Sequence, residues 1–408
     1  MPSPESYSSN ELAPTAAATR SPPPASMAAR PNVPEVRGKV PARIRGRSAL
    51  RGIAVFVFVG TLYGLTLWGA LAAPYWPLQL LSALANGLFI GTFFTVGHDA
   101  CHDSLTPSTR LNQVLGRVAF LPSLTPCITW EYAHNRIHHS YTNWRGKDYV
   151  WAPFSKEEYD HLPGWRRFLE RHYRSLWGFG NYYLFEYWIK HLLFPSRAER
   201  AEMKRPKTFL FDLCLATLYQ AGMVTFIVTC VSSPAAENAG YFDGWTFPAA
   251  LLIVGLGVPF LVWSWIMGFF IFQHHNHPRV AWFLDRNEWD FFAGQVECTT
   301  HIVLPWWMEL ITGHIMQHTA HHVDSTIPLY RLTGSQSCLE SAYPQDIVVE
   351  NWTITTLGKT LARCKLYDYE NHRWLNFRGK PTSEPNPALR ALREGTAPLR
   401  RKQPAKTV

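Results

Sequence analysis

Residues 78–102 read LQLLSALANGLFIGTFFTVGHDACH: a charge-free apolar run from Leu78 to Val96, then histidines at 98 and 102. A run of this length approaches the roughly 20 residues that a helix needs to cross a bilayer. Upstream, Ile53 to Ala72 is almost wholly apolar, and Pro74 and Pro77 interrupt the chain between the two runs. Proline breaks helices, so this pair is expected to form a helical hairpin with a very short turn. Two further apolar runs cover about 208–231 and 247–272, joined by a short loop with Glu237 and Asp243. The expected fold class is therefore an all-α integral membrane protein. Four transmembrane helices, over about 53–72, 78–97, 208–231 and 247–272, form two hairpins beneath a cytoplasmic helical cap that carries the histidines.

The flanks differ in composition. Residues 1–48 are rich in Pro, Ser and Ala, lack the apolar stretch of a signal peptide, and end in Arg37, Lys39, Arg43, Arg45 and Arg47. They read as a disordered basic tail, and residues 376–408 read as a second one. The membrane domain is expected over residues 49–375. Between the hairpins, 111–127 is moderately apolar but contains Arg117, which favours a segment that dips into the membrane without crossing it. Residues 165–193 mix Arg, Trp, Tyr and Phe; they read either as helices lying in the interface or as a solvated amphipathic face packed on the domain.

The net charge is +9. Its basic residues flank apolar segments and form no nucleic-acid motif, so anionic lipid headgroups are the expected partner and nucleic acid is not. The seven cysteines (101, 127, 214, 230, 298, 338, 364) contain no CxxC pair and read as thiols. The loops near 73–77 and 232–246 carry no Lys or Arg, whereas the N-terminal tail, 98–207 and the C-terminal region carry many. The positive-inside rule then places both termini and every histidine box on the cytoplasmic side of a multi-pass protein.

The 17 histidines are clustered. His98 and His102 form an HxxxH box; His134, His138 and His139 form HxxxHH; His318, His321 and His322 form HxxHH. Helical residues three or four apart share a face, so His98 and His102 can point at one ion. By the same rule His134 and His138 can share an ion, with His139 turned toward a neighbouring one, and the third box repeats this. His274 ends the fourth apolar run much as His98 follows the second. Imidazole suits iron, copper and zinc. A single zinc takes three or four ligands, so these nine exceed one ion and call for two. His314, one turn before His318, and His301 are further candidates; His275 and His277 are less well placed than His274. His161, His172, His191 and His372 read as ordinary polar residues. Asp99, Asp103, Glu131, Asp148 and Asp324 lie near the boxes, where acids can orient ligating imidazoles. No catalytic group beyond the metal ligands is evident. Metal-bound imidazoles beside membrane helices point to oxidation chemistry on an apolar substrate.

These boxes and their surroundings resemble the membrane-bound fatty acid desaturases over residues 55–345. HDACH preceded by Gly97, HNRIHH and HTAHH match that family's boxes in order. Thr125-Pro126 with Trp130, Ile327-Pro-Leu-Tyr-Arg-Leu332, and Gln273-His274 are similar to its acyl-lipid Δ12/ω3 branch. The second box carries three residues, not two, before its HH pair, and 273–278 is unusually histidine-rich; the ligand count stays open. The resemblance implies a non-haem centre of two iron ions that uses O2 to remove two hydrogens from an acyl chain of a membrane lipid. It also implies a separate electron donor, of ferredoxin or cytochrome b5 type. The same chemistry serves related hydroxylases, ketolases and acetylenases acting on lipids or carotenoids, which box spacing does not separate. An intramembrane zinc hydrolase would need a glutamate base in HExxH, where this chain has Asp99. A metal transporter would hold its ligands at mid-depth in the membrane.

Overall fold

The computed structural model describes residues 30–231 and 246–386. Four stretches in it are long and apolar enough to cross a membrane: Ala49–Ala72, Trp76–Cys101, Thr208–Thr229 and Phe247–His275. The Glu237–Asp243 loop expected between the last two lies outside the described residues. The Ser48 side chain caps the first helix by accepting from the Arg51 N–H, and Pro77 opens the second. Only Ala73–Tyr75 separate them. They pack against each other through Asn86, whose Nδ2 donates to the Tyr63 carbonyl at 2.8 Å and to Thr66 Oγ1 at 3.0 Å.

The four stretches are buried unequally. Of the second helix's apolar window 61% is buried, against 11% for the first and 17% for the third. Helices apolar on all sides suit lipid, so the first and third offer their apolar faces outward while the second sits centrally. A Cβ at Gly87 would meet Val262 Cβ at 2.5 Å, so the glycine lets the second helix approach the fourth. On the other side of the fourth helix, a Cβ at Gly268 would stand 2.1 Å from the Phe179 carbonyl oxygen. The fourth helix is α-helical over Thr246–Leu252, widens to a π-turn over Ile253–Gly257 and resumes at Val258–His275. Pro259 explains the widening: its ring would clash with the carbonyl four residues back and it donates no hydrogen bond.

The polar segments lie between and after these long helices in the chain. They are mostly short helices, but the all-α expectation needs correction. Thr300–Val303 (β1) pairs in parallel with Val348–Asn351 (β2), and Leu366–Asp368 (β3) pairs antiparallel with Arg373–Leu375 (β4). Residues 111–127 hold an amphipathic helix, Thr109–Phe120. Arg117 Nε donates to Asp212 Oδ1 in the third long helix at 2.7 Å, and Asp212 Oδ2 accepts from the Ile128 N–H at 2.9 Å. One carboxylate therefore ties the helix before the second box to a spanning helix. In the amphipathic stretch, Gly164–Tyr173 leaves Trp165 and Phe168 exposed and buries Glu170 and Tyr173.

The boundary of the basic tail also moves. Residues 1–29 lie outside the description, but 30–48 are built into the fold. Val33–Gly38 is a helix, Arg37 Nε donates to the Val323 carbonyl at 2.8 Å, and the Ser48 N–H donates to Tyr330 Oη at 2.8 Å. At the other end, the Thr382 N–H donates to the Trp374 carbonyl and the Asn386 N–H to that of His372, so 376–386 continues the folded part. Charge and proline content favour disorder only where no partner supplies hydrogen bonds.

Candidate metal centre

Nine of the boxes' and neighbours' imidazoles meet in one buried place. His98, His102, His134 and His321 form one group, and His138, His275, His318 and His322 a second; in each, the ligand atoms lie within 4.8 Å of one another. His139 stands between the groups. Its Nε2 is 3.1 Å from His134 Nε2 and 3.0 Å from His321 Nε2, and its ring stacks on His322 at 4.3 Å.

The first box behaves as its spacing predicts: His98 and His102 end one α-helix and share a group. The second does not. Glu131–His138 is a π-helix, whose hydrogen bonds run from i to i+5. The wider turn brings His134 over His139, five residues on, and sends His138, four residues on, to the other group. The expected sharing of an ion by His134 and His138 is thus replaced by a split between groups. The third box splits too, His318 and His322 to the second group and His321 to the first, because i and i+4 stay on one face of the helix His318–Val323 while i+3 turns toward the neighbour.

At the end of the fourth helix the structure places His275 where His274 is expected. His275 Nε2 lies 3.0 Å from His318 Nε2. His274 instead stacks flat on the His318 ring, at 3.6 Å between centroids, and its buried Nε2 has no hydrogen-bond partner. Successive helical residues point about 100° apart, so only one of the two can face the group. Thr300 Oγ1, which donates within reach of the Gln273 and His274 carbonyls at 2.5 and 3.1 Å, holds the helix end in this rotation.

Two acids orient imidazoles. Asp99 Oδ1 is 3.2 Å from His98 Nδ1, and its Oδ2 accepts from the Leu329 N–H at 2.5 Å. Asp148 Oδ2 is 3.0 Å from His138 Nδ1 and accepts from the Asn143 N–H at 2.9 Å. A third orienting residue, Gln295, carries no motif that would announce it: its Oε1 is 2.7 Å from His322 Nδ1. Other candidates fall outside the groups. Asp324 pairs with Arg45, and Glu131 with Lys204 and Arg205. His301 pairs with Glu340, His277 with Glu350, and His314 faces Thr333 Oγ1 and Glu309. His191 pairs with Glu199, His172 meets Asn181, His161 the Glu157 carbonyl and His372 Glu288.

The electrostatics suit ligation. Burial above all, and then the neighbouring imidazoles, hold His102, His134, His139, His318, His321 and His322 well below the usual histidine pKa. Their rings stay neutral at physiological pH, the form that donates to a metal. Buried Nε2 atoms of His102 and His322 have no hydrogen-bond partner. His98 Nε2 faces His134 Nε2 at 3.1 Å, a contact in which two imidazoles cannot both present lone pairs without a cation or a proton between them. The residues fit two all-nitrogen metal ions. Beside them lies a small apolar cavity. Phe94, Met267, Phe270, Ile271 and Ile315 line it together with His98, His138, His275 and His318.

The chain is 26% identical over 329 residues to the chloroplastic omega-6 fatty acid desaturase of Spinacia oleracea, covering 80% of this chain and 67% of that protein. It is 26% identical over 314 residues to the sn-1 oleoyl-lipid 12-desaturase of a Picosynechococcus species, covering 76% and 82%. The corresponding enzyme of Arthrospira platensis is 27% identical over 272 residues, covering 65% and 69%. Residues 74–334 match the family model described as fatty acid desaturase. That match begins at the turn before the second long helix and takes in all three histidine boxes, and the chain belongs to the fatty acid desaturase family.

Proposed function

We propose that this protein desaturates a fatty acyl chain of a membrane lipid at two non-haem iron ions, with O2 as oxidant and electrons from a separate ferredoxin or cytochrome b5-type protein. One observation carries the reading: two groups of four imidazoles, all buried but the half-buried His134, share a wall with an apolar cavity. The overall balance is one CH2–CH2 unit, O2, two electrons and two protons converted to CH=CH and two waters.

His98, His102, His134 and His321 would hold one iron, and His138, His275, His318 and His322 the other, with the Nε2 of His139 facing His134 and His321 of the first group. Iron held this way supplies the activation of O2. The protein's own residues do the rest. Phe94, Met267, Phe270 and Ile271 bind the chain by burying its methylenes, at about 0.8 kcal/mol each. The same packing excludes water from the reacting carbons. Trp130 stacks on His134 at 4.4 Å and abuts His98, fixing the wall of the first group. Asp99 and Asp148 hold the Nδ1–H of His98 and His138, leaving each Nε2 free to donate. The choice between a double bond and an inserted oxygen depends on placing two adjacent C–H groups to within about an ångström.

The charge distribution supports a cytoplasmic location for the termini and the histidine boxes. An introduced cysteine near Pro74 should then label from outside the cell and one near Lys156 should not. For the reaction itself, cells expressing the chain with an electron donor should accumulate acyl chains lighter by two hydrogens on gas chromatography–mass spectrometry. Chains carrying an added oxygen and no new double bond would assign the protein to the hydroxylase relatives instead.

A further inference from the structure

We propose that Gln295 is a positioning residue of the centre: by bridging the second and third histidine boxes it fixes which nitrogen of His322 carries the proton. This rests on the ligand reading given above.

The argument follows from which groups can donate. Gln295 is buried on the π-turn Ala293–Glu297. Its Nε2 lies 2.8 Å from the His139 carbonyl oxygen. A carbonyl only accepts, so the amide must turn its NH2 toward the second box. Its Oε1 is thereby committed to His322 Nδ1, at 2.7 Å. That oxygen also only accepts, so His322 Nδ1 carries the proton. The remaining neighbour agrees: Thr142 Oγ1, 3.2 Å from His322 Nδ1, is 2.8 Å from the His138 carbonyl and spends its own proton on that or on Gln295 Oε1. His322 is left with a lone pair on Nε2, the buried atom that has no hydrogen-bond partner. The turn bearing Gln295 is itself anchored, since Trp289 Nε1 donates to the Thr142 carbonyl at 2.8 Å and Thr299 Oγ1 to that of Gln295 at 2.9 Å.

Gln295 therefore does for the third box what Asp99 and Asp148 do for the first two, without a charge. The second group then has one imidazole backed by a carboxylate, His138, and one backed by a neutral amide, His322. A carboxylate acceptor makes an imidazole a stronger donor than an amide does, so the identity of residue 295 should be visible in the electronic properties of one ion.

The test uses the full-length chain in detergent, loaded with ⁵⁷Fe, as wild type, Gln295→Met and Gln295→Glu. Gln295→Met preserves bulk but removes both hydrogen bonds. It should lower activity by about 10–100-fold, the usual effect of losing an orienting partner, and lower iron content mainly at one site, with the Mössbauer doublet of the other retained. That retained doublet also reports a folded protein. Gln295→Glu keeps an acceptor for His322, so it should keep its iron but displace one doublet. In the metal-free, ¹⁵N-histidine-labelled chain, His322 should be an Nδ1–H tautomer in wild type and Gln295→Glu and should shift in Gln295→Met. Unchanged iron content, doublets and His322 resonance in both variants would overturn the proposal, as would an Nε2–H tautomer in wild type. If wild type binds no iron, the di-iron reading fails instead, and the His322 resonance still decides the role of Gln295.

Discussion

The first and second histidine boxes have the same spacing between their leading histidines, yet the fold treats them differently. His98 and His102 sit four apart at the end of an α-helix and stay in one group; His134 and His138 sit four apart on a π-helix and separate. Four residues cover slightly more than one α-turn but less than one π-turn. The lesson is that a ligand motif has no geometry until the pitch of its helix is known. The extra residue in the second box is what a wider turn accommodates, and it lets one short segment serve both groups and present His139 between them.

The largest effects should come from breaking either arrangement at its ligands. His98→Ala, His134→Ala, His138→Ala or His318→Ala should each abolish turnover while the protein still inserts in membranes, with product analysis and membrane fractionation as the two measurements. The split predicts more: with ⁵⁷Fe loading, His134→Ala and His138→Ala should perturb different Mössbauer doublets. If both perturb the same one, the π-helical separation is not how the protein works.

The pair at the end of the fourth helix offers a sharper contrast. His275→Ala should behave as a ligand loss. His274→Ala removes a stacked ring, a contact of about 0.5–1.5 kcal/mol, and should retain roughly a tenth or more of wild-type turnover. Equal loss in both would return His274 to the ligand set.

Next come the orienting acids. Asp99→Asn and Asp148→Asn should each cost about 10–100-fold in activity or metal affinity. Asp99→Asn should also lower thermal stability more strongly if its bond to the Leu329 N–H, which ties the first box to the segment after the third, contributes as the distance implies.

A milder effect should appear with pH. The buried histidines hold folded-state pKa values below the ordinary value of about 6.5, because burial opposes their charged form. Above that value both folded and unfolded chains leave them neutral, and no stability is lost. Below it the unfolded chain binds protons that the folded one refuses, so stability should fall as pH drops under about 6.5. Thermal unfolding of the full chain between pH 8 and pH 5 measures this; a melting temperature that rises on acidification contradicts it. Smallest of all, Arg45→Ala loses a partly exposed pair with Asp324, worth no more than about 1 kcal/mol, and should leave activity nearly unchanged.

Much of this was legible in the residues. Apolar runs of spanning length, charge-free but for Asp212 in the third, located the long helices to within a few residues, because lipid disfavours charge and unpaired backbone and so leaves a strong mark on composition. The three boxes identified eight of the nine clustered imidazoles, since no other use of so many spaced histidines is common. Misreadings fell where neighbours decide. Arg37 and Ser48 lie in a stretch whose composition resembles a disordered tail, yet they find the Val323 carbonyl and Tyr330, partners almost 300 residues away.

Sequence alone therefore determined the kind of protein: which runs are apolar enough to meet lipid, which boxes bring histidines together, and that they exceed one ion's worth of ligands. Only the tertiary structure decided the partition of those ligands. Whether His274 or His275 faces the centre depends on how a helix end is rotated by Thr300. Whether His134 and His138 share a group depends on a π-turn, and the proton on His322 depends on an amide brought from Gln295. Each is a choice among orientations of nearly equal local energy, and long-range hydrogen bonds select one of them.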